Sequence, residues 1–334
     1  MNIRLPSLSS LRTSFVFCAL LVSSLCAQPA KLKVLIVDGQ NNHQWAATTP
    51  VLKRILEEAG IFTVDVSTAP AHPNPPSPPR NATPEQTAAY NERMKAYAPI
   101  GADYAAHGAE RWAAWRPKFK DYAVVVSNYN GEDWPEEVRT AFVAFVKGGG
   151  GFVSYHAADN SFPQWPEYNE MIGLGGWGNR NEKAGPYLRL RDGVWTKDPS
   201  PGVGGGHGAQ HEFLMEVRTP EHPIWRGLPD QWMHSKDELY HGLRGPADHL
   251  TVLASSLSDR THEREPLLMT INYGAGRVFH TALGHSVETL QGLGFQITFQ
   301  RGTEWAATGR VTLPAPKPGE LTKDHAALHP VSAP

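Results

Sequence analysis

The sequence predicts an α/β fold with a mostly parallel sheet, helices on both of its faces and loop insertions. An opening strand, helix and strand within residues 31–66 support this prediction, because that order is typical of a doubly wound sheet. The first strand, 31–38, is a continuous apolar run, as expected of a strand buried on both faces of a parallel sheet. Two further apolar runs, 122–127 and 152–156, flank an amphipathic helix at 135–147.

The first helix is expected to begin at Thr48 or Thr49, either of which can cap it. Pro50 would then stand in its first turn, and Gly60 would end it. A second strand follows at 61–66, and the connection between the two strands is expected to be right-handed.

A proline-rich stretch interrupts this pattern after the second strand. Residues 70–84 contain seven prolines, which are incompatible with a helix or a central strand. Residues 85–96 are expected to form a short, exposed helix. The whole stretch of about 70–118 is interpreted as an insertion or a lid.

The second half of the chain predicts more strands and a closing helix. Residues 166–207 are rich in Gly, Asn and Trp, so an irregular loop is expected there. Further strands are predicted at 213–217, 249–254, 267–273 and 277–283, the last two joined by a hairpin at 274–276. A helix is expected after His285. A single domain would thus span 31–313, followed by a flexible tail at 314–334.

Residues 1–27 have the pattern of a secretory signal peptide. Arg4 and Arg12 precede an apolar run at 15–22, and small residues follow up to Ala27. The run is too short to span a membrane, and no later stretch reaches the necessary length. We therefore expect a periplasmic or secreted protein with no transmembrane segment in its mature chain.

Removal of that segment would change two properties of the chain. Both cysteines, Cys18 and Cys26, would be lost, which excludes disulfides, thiolate metal sites and a cysteine nucleophile from the mature protein. The loss of Arg4 and Arg12 would leave 29 basic against 33 acidic side chains. A mildly acidic protein lacks the positive charge that non-specific nucleic-acid binding requires.

Polar side chains follow three of the predicted strands at the edge of the sheet where ligands bind in open α/β folds. His43 and Trp45 follow the first strand, Asn128 follows the third, and His156 and Asn160 follow the fourth. These side chains are expected to converge on one crevice.

His156 occupies the turn of a possible strand–turn–helix elbow. A tight turn of this type presents one side chain at the edge of the sheet. The alternative is that His156 only hydrogen-bonds a loop, but its position at a strand end and its proximity to Asn160 favour a functional role.

Histidines and carboxylates are mixed in the second half of the chain, and such mixtures can form metal sites or acid–base pairs. His211 and Tyr240 belong to this region, although the spacing matches no zinc signature. Asp237 and Glu238 are adjacent, so on a strand one would enter a site and the other would meet solvent or a backbone amide. His285 follows a strand and could either bind a ligand or cap a helix.

Several tryptophans, Trp45, Trp165, Trp177 and Trp225, fall in predicted loops. Aromatic rings can support the apolar faces of sugars, but they are also common in protein cores and interfaces. These residues therefore favour a carbohydrate ligand only weakly.

An ordered set of short motifs resembles the trehalose-utilisation (ThuA-like) family over about 31–305. The motifs are His43, the segment 149–162, His211, 222–224, 237–240 and 283–285. The resemblance implies a flavodoxin-like α/β fold related to class I glutamine amidotransferases. Those relatives carry a nucleophilic cysteine at the elbow, where this chain has His156, so amidotransferase chemistry is not expected.

The resemblance also implies a role in sugar catabolism beside dehydrogenases that make 3-keto-glycosides. Our leading hypothesis is an exported enzyme that hydrolyses or eliminates a (3-keto-)glycoside or disaccharide. The rival hypothesis is a non-catalytic sugar-binding protein that uses the same crevice. Clustered histidines favour the enzyme, and the small carbohydrate ligand is common to both hypotheses.

The hypothesis assigns roles to individual residues. His156 and Glu238 are the candidates for proton transfer. A divalent metal ion that polarises the ketone could be held by His156, Glu238 and His285. The candidates for sugar binding are His43, Trp45, Asn128, Asn160, His211 and Tyr240.

Overall fold

The computed structural model describes Met1 and residues 30–331 of the 334-residue chain. Met1 apart, the predicted signal peptide at 1–27 lies outside the described residues. From Lys31 onward the chain forms one compact unit.

The described residues form five α-helices and thirteen strands. The helices are α1 (Trp45–Glu58), α2 (Pro84–Ala114), α3 (Glu136–Lys147), α4 (Pro166–Ile172) and α5 (Leu293–Thr308). The first strands are β1 (Leu32–Asp38), β2 (Phe62–Thr68), β3 (Val124–Ser127), β4 (Gly151–Tyr155), β5 (Tyr187–Arg191), β6 (Val194–Asp198) and β7 (Gly206–His207). The remaining strands are β8 (His211–Val217), β9 (Gln231–Asp237), β10 (Tyr240–His241), β11 (Leu250–Leu257), β12 (Arg264–Tyr273) and β13 (Gly276–Thr281).

Nine strands form the main sheet, in the order β2-β1-β3-β4-β13-β12-β11-β8-β9. The pairings from β2 to β13 are parallel, whereas every pairing from β13 to β9 is antiparallel. The small sheets β10-β7 and β5-β6 are antiparallel as well. The expected mostly parallel sheet is therefore wrong as a description of the whole. It holds for one half of the main sheet, and antiparallel strands extend that half, with β11 paired to β8 rather than to a strand adjacent in sequence.

Helices cover both faces of the parallel half, as β4 shows. Successive side chains of a strand point to opposite faces, so Phe152 and Tyr155 lie on different sides of the sheet. Phe152 packs edge-on against Phe142 of α3, with ring centroids 5.0 Å apart. Tyr155 contacts Phe295 and Phe299 of α5 on the other side. All five residues are buried, and this double covering explains the continuous apolar runs of β1, β3 and β4.

The start of α1 differs from the prediction. The helix begins at Trp45, with Gln44 rather than a threonine at its N-terminal boundary, and Pro50 lies inside it. Thr48 and Thr49 are buried instead of capping the helix, and their hydroxyls accept hydrogen bonds from the Asn128 side-chain amide, both at 3.0 Å. These two threonines therefore connect α1 to the end of β3.

The predicted short helix at 85–96 is wrong in its length, because α2 continues to Ala114 and has 31 residues. Thr83 begins it with a capping box, in which its hydroxyl and backbone exchange hydrogen bonds with Gln86. Gly108 is the buried residue of this helix, whose other residues are exposed or half-buried. The apolar periodicity of α2 is correspondingly weak, so the sequence pattern underestimates the length of the helix.

Two parts of the second half were not predicted. Residues 166–207 contain α4, the β5–β6 hairpin and β7 rather than a wholly irregular loop. Strand β9 has the mixed sequence Gln-Trp-Met-His-Ser-Lys-Asp, which lacks a continuous apolar run. It pairs with β8 at the end of the antiparallel half.

The antiparallel half of the sheet curls so that the end of β9 approaches the segment after β13. Strand β9 is four positions from β13, which in a flat sheet would separate them by about 19 Å, at about 4.8 Å per strand. Nevertheless, the carboxylate of Asp237 at the end of β9 accepts a hydrogen bond from the Gly284 amide just after β13, at 2.8 Å. The curl therefore brings the two strand ends together.

The C-terminal segment that was expected to be a loose tail contacts the domain at several points. The Met233 amide donates to the carbonyl of Thr322, and the Leu293 amide donates to that of Ala327. The amide of Val331 donates to the side chain of Gln291 at 2.6 Å.

We expect Arg180→Met to destabilise the segment between α4 and β5. The buried guanidinium donates to the carbonyls of Asn160, Ser161 and Gly176 and to the side chain of Asn169. Each buried acceptor left without a partner costs about 1–3 kcal/mol, so the free energy of unfolding should fall by at least about 2 kcal/mol in urea titrations. The exposed Arg310→Met is the matched control. Equal stability of the two variants would contradict this role.

Candidate functional site

Four side chains meet beyond the ends of β1, β4, β9 and β13. His43, His156, Glu238 and His285 each offer one donor atom, and these four atoms all lie within 4.8 Å of one another. The Oε2 atom of Glu238 is 3.7 Å from His43 Nε2, 3.8 Å from His156 Nε2 and 3.0 Å from His285 Nδ1. We call this group the His–Glu cluster.

His156 directly follows β4 and has a left-handed backbone, with φ of 45°. This is the elbow that the sequence indicated, because the turn aims the side chain away from the strand. The imidazole Nδ1 lies 2.8 Å from the Ala282 carbonyl. Nδ1 must donate to that oxygen, so Nε2 of the neutral ring carries a lone pair towards the cluster. Burial, together with nearby His43, lowers the pKa of His156 to about 3.

His43 is oriented by two layers of amide side chains. Its Nδ1 lies 3.2 Å from the Asn41 side-chain oxygen, which can only accept, so the Nε2 of the neutral ring carries the lone pair. Asn41 in turn donates to Asn128, and Asn128 donates to the threonines of α1. The Nε2 atoms of His43 and His156 are 3.3 Å apart. Two lone pairs at this distance repel unless a proton or a cation lies between them.

Glu238 enters the site and Asp237 supports it from behind, as their adjacency predicts. Asp237 is fully buried and accepts hydrogen bonds from the amides of Glu238, Gly284 and His285, and from the ring of His234. Burial raises the pKa of Asp237, but these hydrogen bonds outweigh it and hold the pKa below its ordinary value. The carboxylate therefore stays ionised and fixes the two segments that supply Glu238 and His285.

Charge stabilises the carboxylate of Glu238 as well. Burial alone would raise the pKa of Glu238, yet its contacts with the imidazoles of His285 and His43 lower the pKa well below the ordinary value. The same contact with Glu238 raises the pKa of His285. The cluster therefore contains an anionic oxygen surrounded by imidazoles.

A cavity of about 340 Å³ opens over the cluster, and we call it the His–Glu cavity. Strands β10 and β7 pair Tyr240 with His207, so both side chains reach it. The Trp177 ring packs edge-on against Tyr240 at 4.7 Å between centroids. The Tyr240 hydroxyl lies 3.0 Å from Nε2 of His156, and burial raises the pKa of Tyr240. The cavity is lined by Asn42, His43, Asn130, Asn160, Trp177, Gly178, His207, Glu238 and Tyr240.

The structure separates the predicted sugar-binding residues into three groups. His43, Asn160 and Tyr240 line the His–Glu cavity. Trp45 lines a neighbouring cavity that also contains His43. Asn128 is buried behind Asn41, and His211 lies away from the cavity lining, with its Nδ1 against the Ala209 carbonyl at 2.9 Å.

Sequence reasoning missed several residues that shape the site. Asn41 orients His43, and the position of Asn41 two residues before a histidine in a turn was a usable signal. His207 lies in a glycine-rich run and was not among the candidates, yet its Nε2 lies 3.6 Å from Oε1 of Glu238. No sequence pattern indicates that β7 and β10 pair across 33 residues.

The geometry of the His–Glu cluster suits a divalent cation. Bond lengths of about 2.1 Å at tetrahedral angles place the donor atoms of a metal site about 3.4 Å apart. Four of the six separations, at 3.0, 3.3, 3.7 and 3.8 Å, surround this value, and all six are within 4.8 Å. Three imidazole nitrogens and one carboxylate oxygen form a donor set that zinc and similar ions accept.

Comparison with known proteins identifies the family. A family model described as ThuA, trehalose utilisation, matches residues 83–306. The chain belongs to the ThuA family. Membership in this family associates the chain with carbohydrate metabolism. Comparison with curated proteins found no match.

Solved structures agree with the family assignment. A ThuA-like protein from Parabacteroides merdae ATCC 43184 is 38% identical, with a TM-score of 0.74 over 90% of this chain and 98% of that chain. A ThuA-like protein from Bacteroides uniformis ATCC 8492 is 17% identical, with a TM-score of 0.50 over 86% of this chain and 95% of that chain, and it shows the shared fold alone.

Within the described residues, the helices of this ThuA-family protein include none that is both long and apolar enough to cross a membrane.

We expect Asp237→Asn to disorder the Glu238 and His285 segments. An amide side chain has only one acceptor oxygen, so at least one of the four donors around Asp237 loses its partner. The free energy of unfolding should fall by about 2 kcal/mol. Hydrogen exchange at the Gly284 and His285 amides should accelerate in the same variant, as measured by NMR. The exposed Asp230→Asn should change neither quantity, and unchanged exchange in Asp237→Asn would contradict the role assigned to this carboxylate.

Proposed function

We propose that this protein is an exported, metal-dependent enzyme that cleaves a 3-keto-glycoside or disaccharide by elimination or hydrolysis. The observation that carries the proposal is the His–Glu cluster at the base of a cavity lined by side-chain amides and aromatic rings. Family membership supports a carbohydrate substrate. The amino-terminal pattern of residues 1–27 supports export.

The lining of the His–Glu cavity suits a sugar ring. Asn42, Asn130 and Asn160 offer amides that can both donate to and accept from hydroxyl groups. Trp177 offers an aromatic ring with an apolar face and a polar edge. The volume of the His–Glu cavity, about 340 Å³, lies at the lower end of the range for small-molecule sites, about 300–1,000 Å³.

We propose that His43, His156, Glu238 and His285 hold a divalent transition-metal ion. The facing lone pairs of His43 and His156 support this assignment, since a cation between them removes their repulsion. When bound, such an ion withdraws electron density from a ketone oxygen and acidifies the neighbouring C–H bond. Of the two predicted proton-transfer residues, His156 would then serve as a ligand, and Glu238 would transfer the proton.

The two carboxylate oxygens of Glu238 face different groups. Its Oε2 atom faces the three histidines of the cluster, whereas Oε1 faces His207 and the cavity. We infer that Oε1 accepts the proton from C2 of a 3-keto-glycoside, while His156 serves as a ligand. The electron pair of the C2–H bond then forms the enolate. Collapse of the enolate breaks the C1–O bond, and the departing oxygen takes up a proton. The products are an alcohol and an enone, and addition of water to the enone completes a hydrolysis.

The finer fold class is also a proposal. The five parallel strands follow the order 2-1-3-4-5 when they are numbered along the chain, which is the order of flavodoxin-like sheets. His156 has a left-handed backbone after the fourth of these strands, at the position where the family resemblance implies a cysteine in amidotransferases. Both observations support a flavodoxin-like core with an antiparallel extension.

Replacement of His156 by alanine should abolish both metal binding and turnover. The purified protein is expected to contain about one divalent ion per chain by elemental analysis. It should also cleave 3-keto-trehalose or a 3-keto-glucoside. Glu238→Gln should reduce turnover at least about a hundredfold, within the range for the loss of a general base. His211→Ala is the matched control, because this histidine lies outside the cluster, and it should retain both properties.

Two results would contradict the proposal. Absence of turnover across the panel of keto-sugars, with and without added metal, would exclude the enzyme. Saturable sugar binding without product under those conditions would instead establish the non-catalytic sugar-binding protein. Full activity in metal-free His156→Ala would exclude the metal and the ligand assignment.

Trp177→Ala should weaken substrate binding more than it slows the chemical step. The indole lines the cavity but lies outside the His–Glu cluster, so it contacts the sugar and not the reacting bond. KM should rise about tenfold, while kcat should change by less than about threefold. Steady-state kinetics on a 3-keto-glucoside measure both values, and a fall in kcat at constant KM would contradict a binding role.

A further inference from the structure

The proline-rich segment and α2 form a part of the fold that the His–Glu cavity does not use. We propose that they build a second sugar subsite beside His43, so that the substrate is a disaccharide or a longer glycoside with a neutral leaving group. This inference rests on the proposed function and specifies its substrate.

A second cavity of about 450 Å³ also borders His43. We call it the Trp45 cavity. His43 belongs to the lining of both cavities. A sugar ring whose C1–O bond lies over the His–Glu cluster can therefore place its leaving group in the Trp45 cavity. The Trp45 cavity is lined by Gly39, Gln40, Asn41, His43, Gln44, Trp45, Ala46, Ala47, Ala71, Pro73 and Asn74.

The lining chemistry of the Trp45 cavity favours a neutral polyol. One indole and several side-chain amides, those of Gln40, Gln44 and Asn74, repeat the combination found in the His–Glu cavity. The described lining contains no Asp, Glu, Lys or Arg. Such a surface can hydrogen-bond hydroxyl groups and pack against a sugar face, but it offers nothing to neutralise a phosphate or a carboxylate.

The wall of this cavity is held in place by the proline-rich segment. Asn74 donates to the Asn41 carbonyl at 2.8 Å, and Gln40 donates to the His72 carbonyl at 3.0 Å. Gly39 has φ of 125°, and a Cβ atom there would collide with the Ala69 backbone. Only glycine therefore allows the loop after β1 to run along the proline-rich segment.

Helix α2 braces the same wall through two tyrosines. The Tyr97 hydroxyl donates to the Pro73 carbonyl at 3.0 Å. The Tyr104 hydroxyl donates to Glu132 at 2.7 Å, and the same carboxylate oxygen accepts the His72 amide at 2.9 Å. A long exposed helix that contributes little to the core thus fixes the backbone of residues 72–74 against the cavity.

A third cavity also touches His43, but its chemistry suits a sugar ring less well. It measures about 250 Å³, and its lining includes the charged side chain of Glu288 and no Trp, Tyr or Phe. It is lined by Asn42, His43, Gln44, His285, Ser286, Val287 and Glu288. We therefore assign the second ring to the Trp45 cavity.

The test compares two substrates that differ only in the leaving group, 3-keto-trehalose and methyl 3-keto-glucoside. Trp45→Ala should lower kcat/KM for the disaccharide by about tenfold more than it lowers that for the methyl glycoside. Asn74→Ala removes an exposed side chain. It should shift the ratio of the two kcat/KM values, disaccharide to methyl glycoside, in the same direction. Trp195→Ala is the matched control, since this half-buried tryptophan on β6 lines neither cavity, and it should leave the ratio unchanged. Circular dichroism should show that all three variants are folded.

An equal effect of Trp45→Ala on both substrates would overturn the second subsite. A selective loss of kcat/KM for the disaccharide in Glu288→Ala would instead assign the leaving group to the third cavity. That result would overturn the assignment of the subsite to the Trp45 cavity as well. Saturation-transfer NMR with trehalose and methyl glucoside measures binding at the subsite without requiring turnover. If neither keto-sugar reacts, the proposed enzyme fails, but a selective loss of trehalose binding in Trp45→Ala still supports the subsite. If neither keto-sugar reacts and the wild-type protein also binds neither trehalose nor methyl glucoside, both proposals fail.

Discussion

The buried carboxylate of Asp237 is the interaction on which the site depends. It lies at the far end of the antiparallel half of the sheet, yet it accepts the amides of Gly284 and His285 after β13. Each of these contacts is a charge-assisted hydrogen bond in a region that excludes water, where such bonds are strongest. This anchor holds the end of β9, and with it Glu238, beside the segment that follows β13.

The parallel half of the fold was predictable because its inner strands are buried on both faces. Burial on both sides requires continuous apolar runs, and β1, β3 and β4 carry them. The antiparallel half gives weaker signals. Strand β9 alternates buried and partly exposed positions and contains a buried histidine that pairs with Asp237, so its composition does not resemble a strand. The length of α2 was missed for a related reason, since a helix that packs little has little apolar periodicity.

The candidate site was predictable where it follows the parallel strands. His43, His156 and His285 each stand just beyond a strand end, which is where side chains converge in an open α/β sheet. Glu238 was selected by its residue type, and its proximity depends on the curl, which no local pattern encodes. Asn128 shows the limit of the same reasoning. Position at a strand end does not distinguish a side chain that faces the cavity from one that supports it, and only tertiary packing decides between the two.

The four donors of the His–Glu cluster are separated by long stretches of chain, from residue 43 to residue 285. An unfolded chain cannot assemble them, so a cation that binds the cluster binds the native state alone. By mass action, free cation at a hundred times its dissociation constant would add about 2.7 kcal/mol to the free energy of unfolding. The abundance of metal in the compartment where the protein resides would then determine its lifetime as well as its activity.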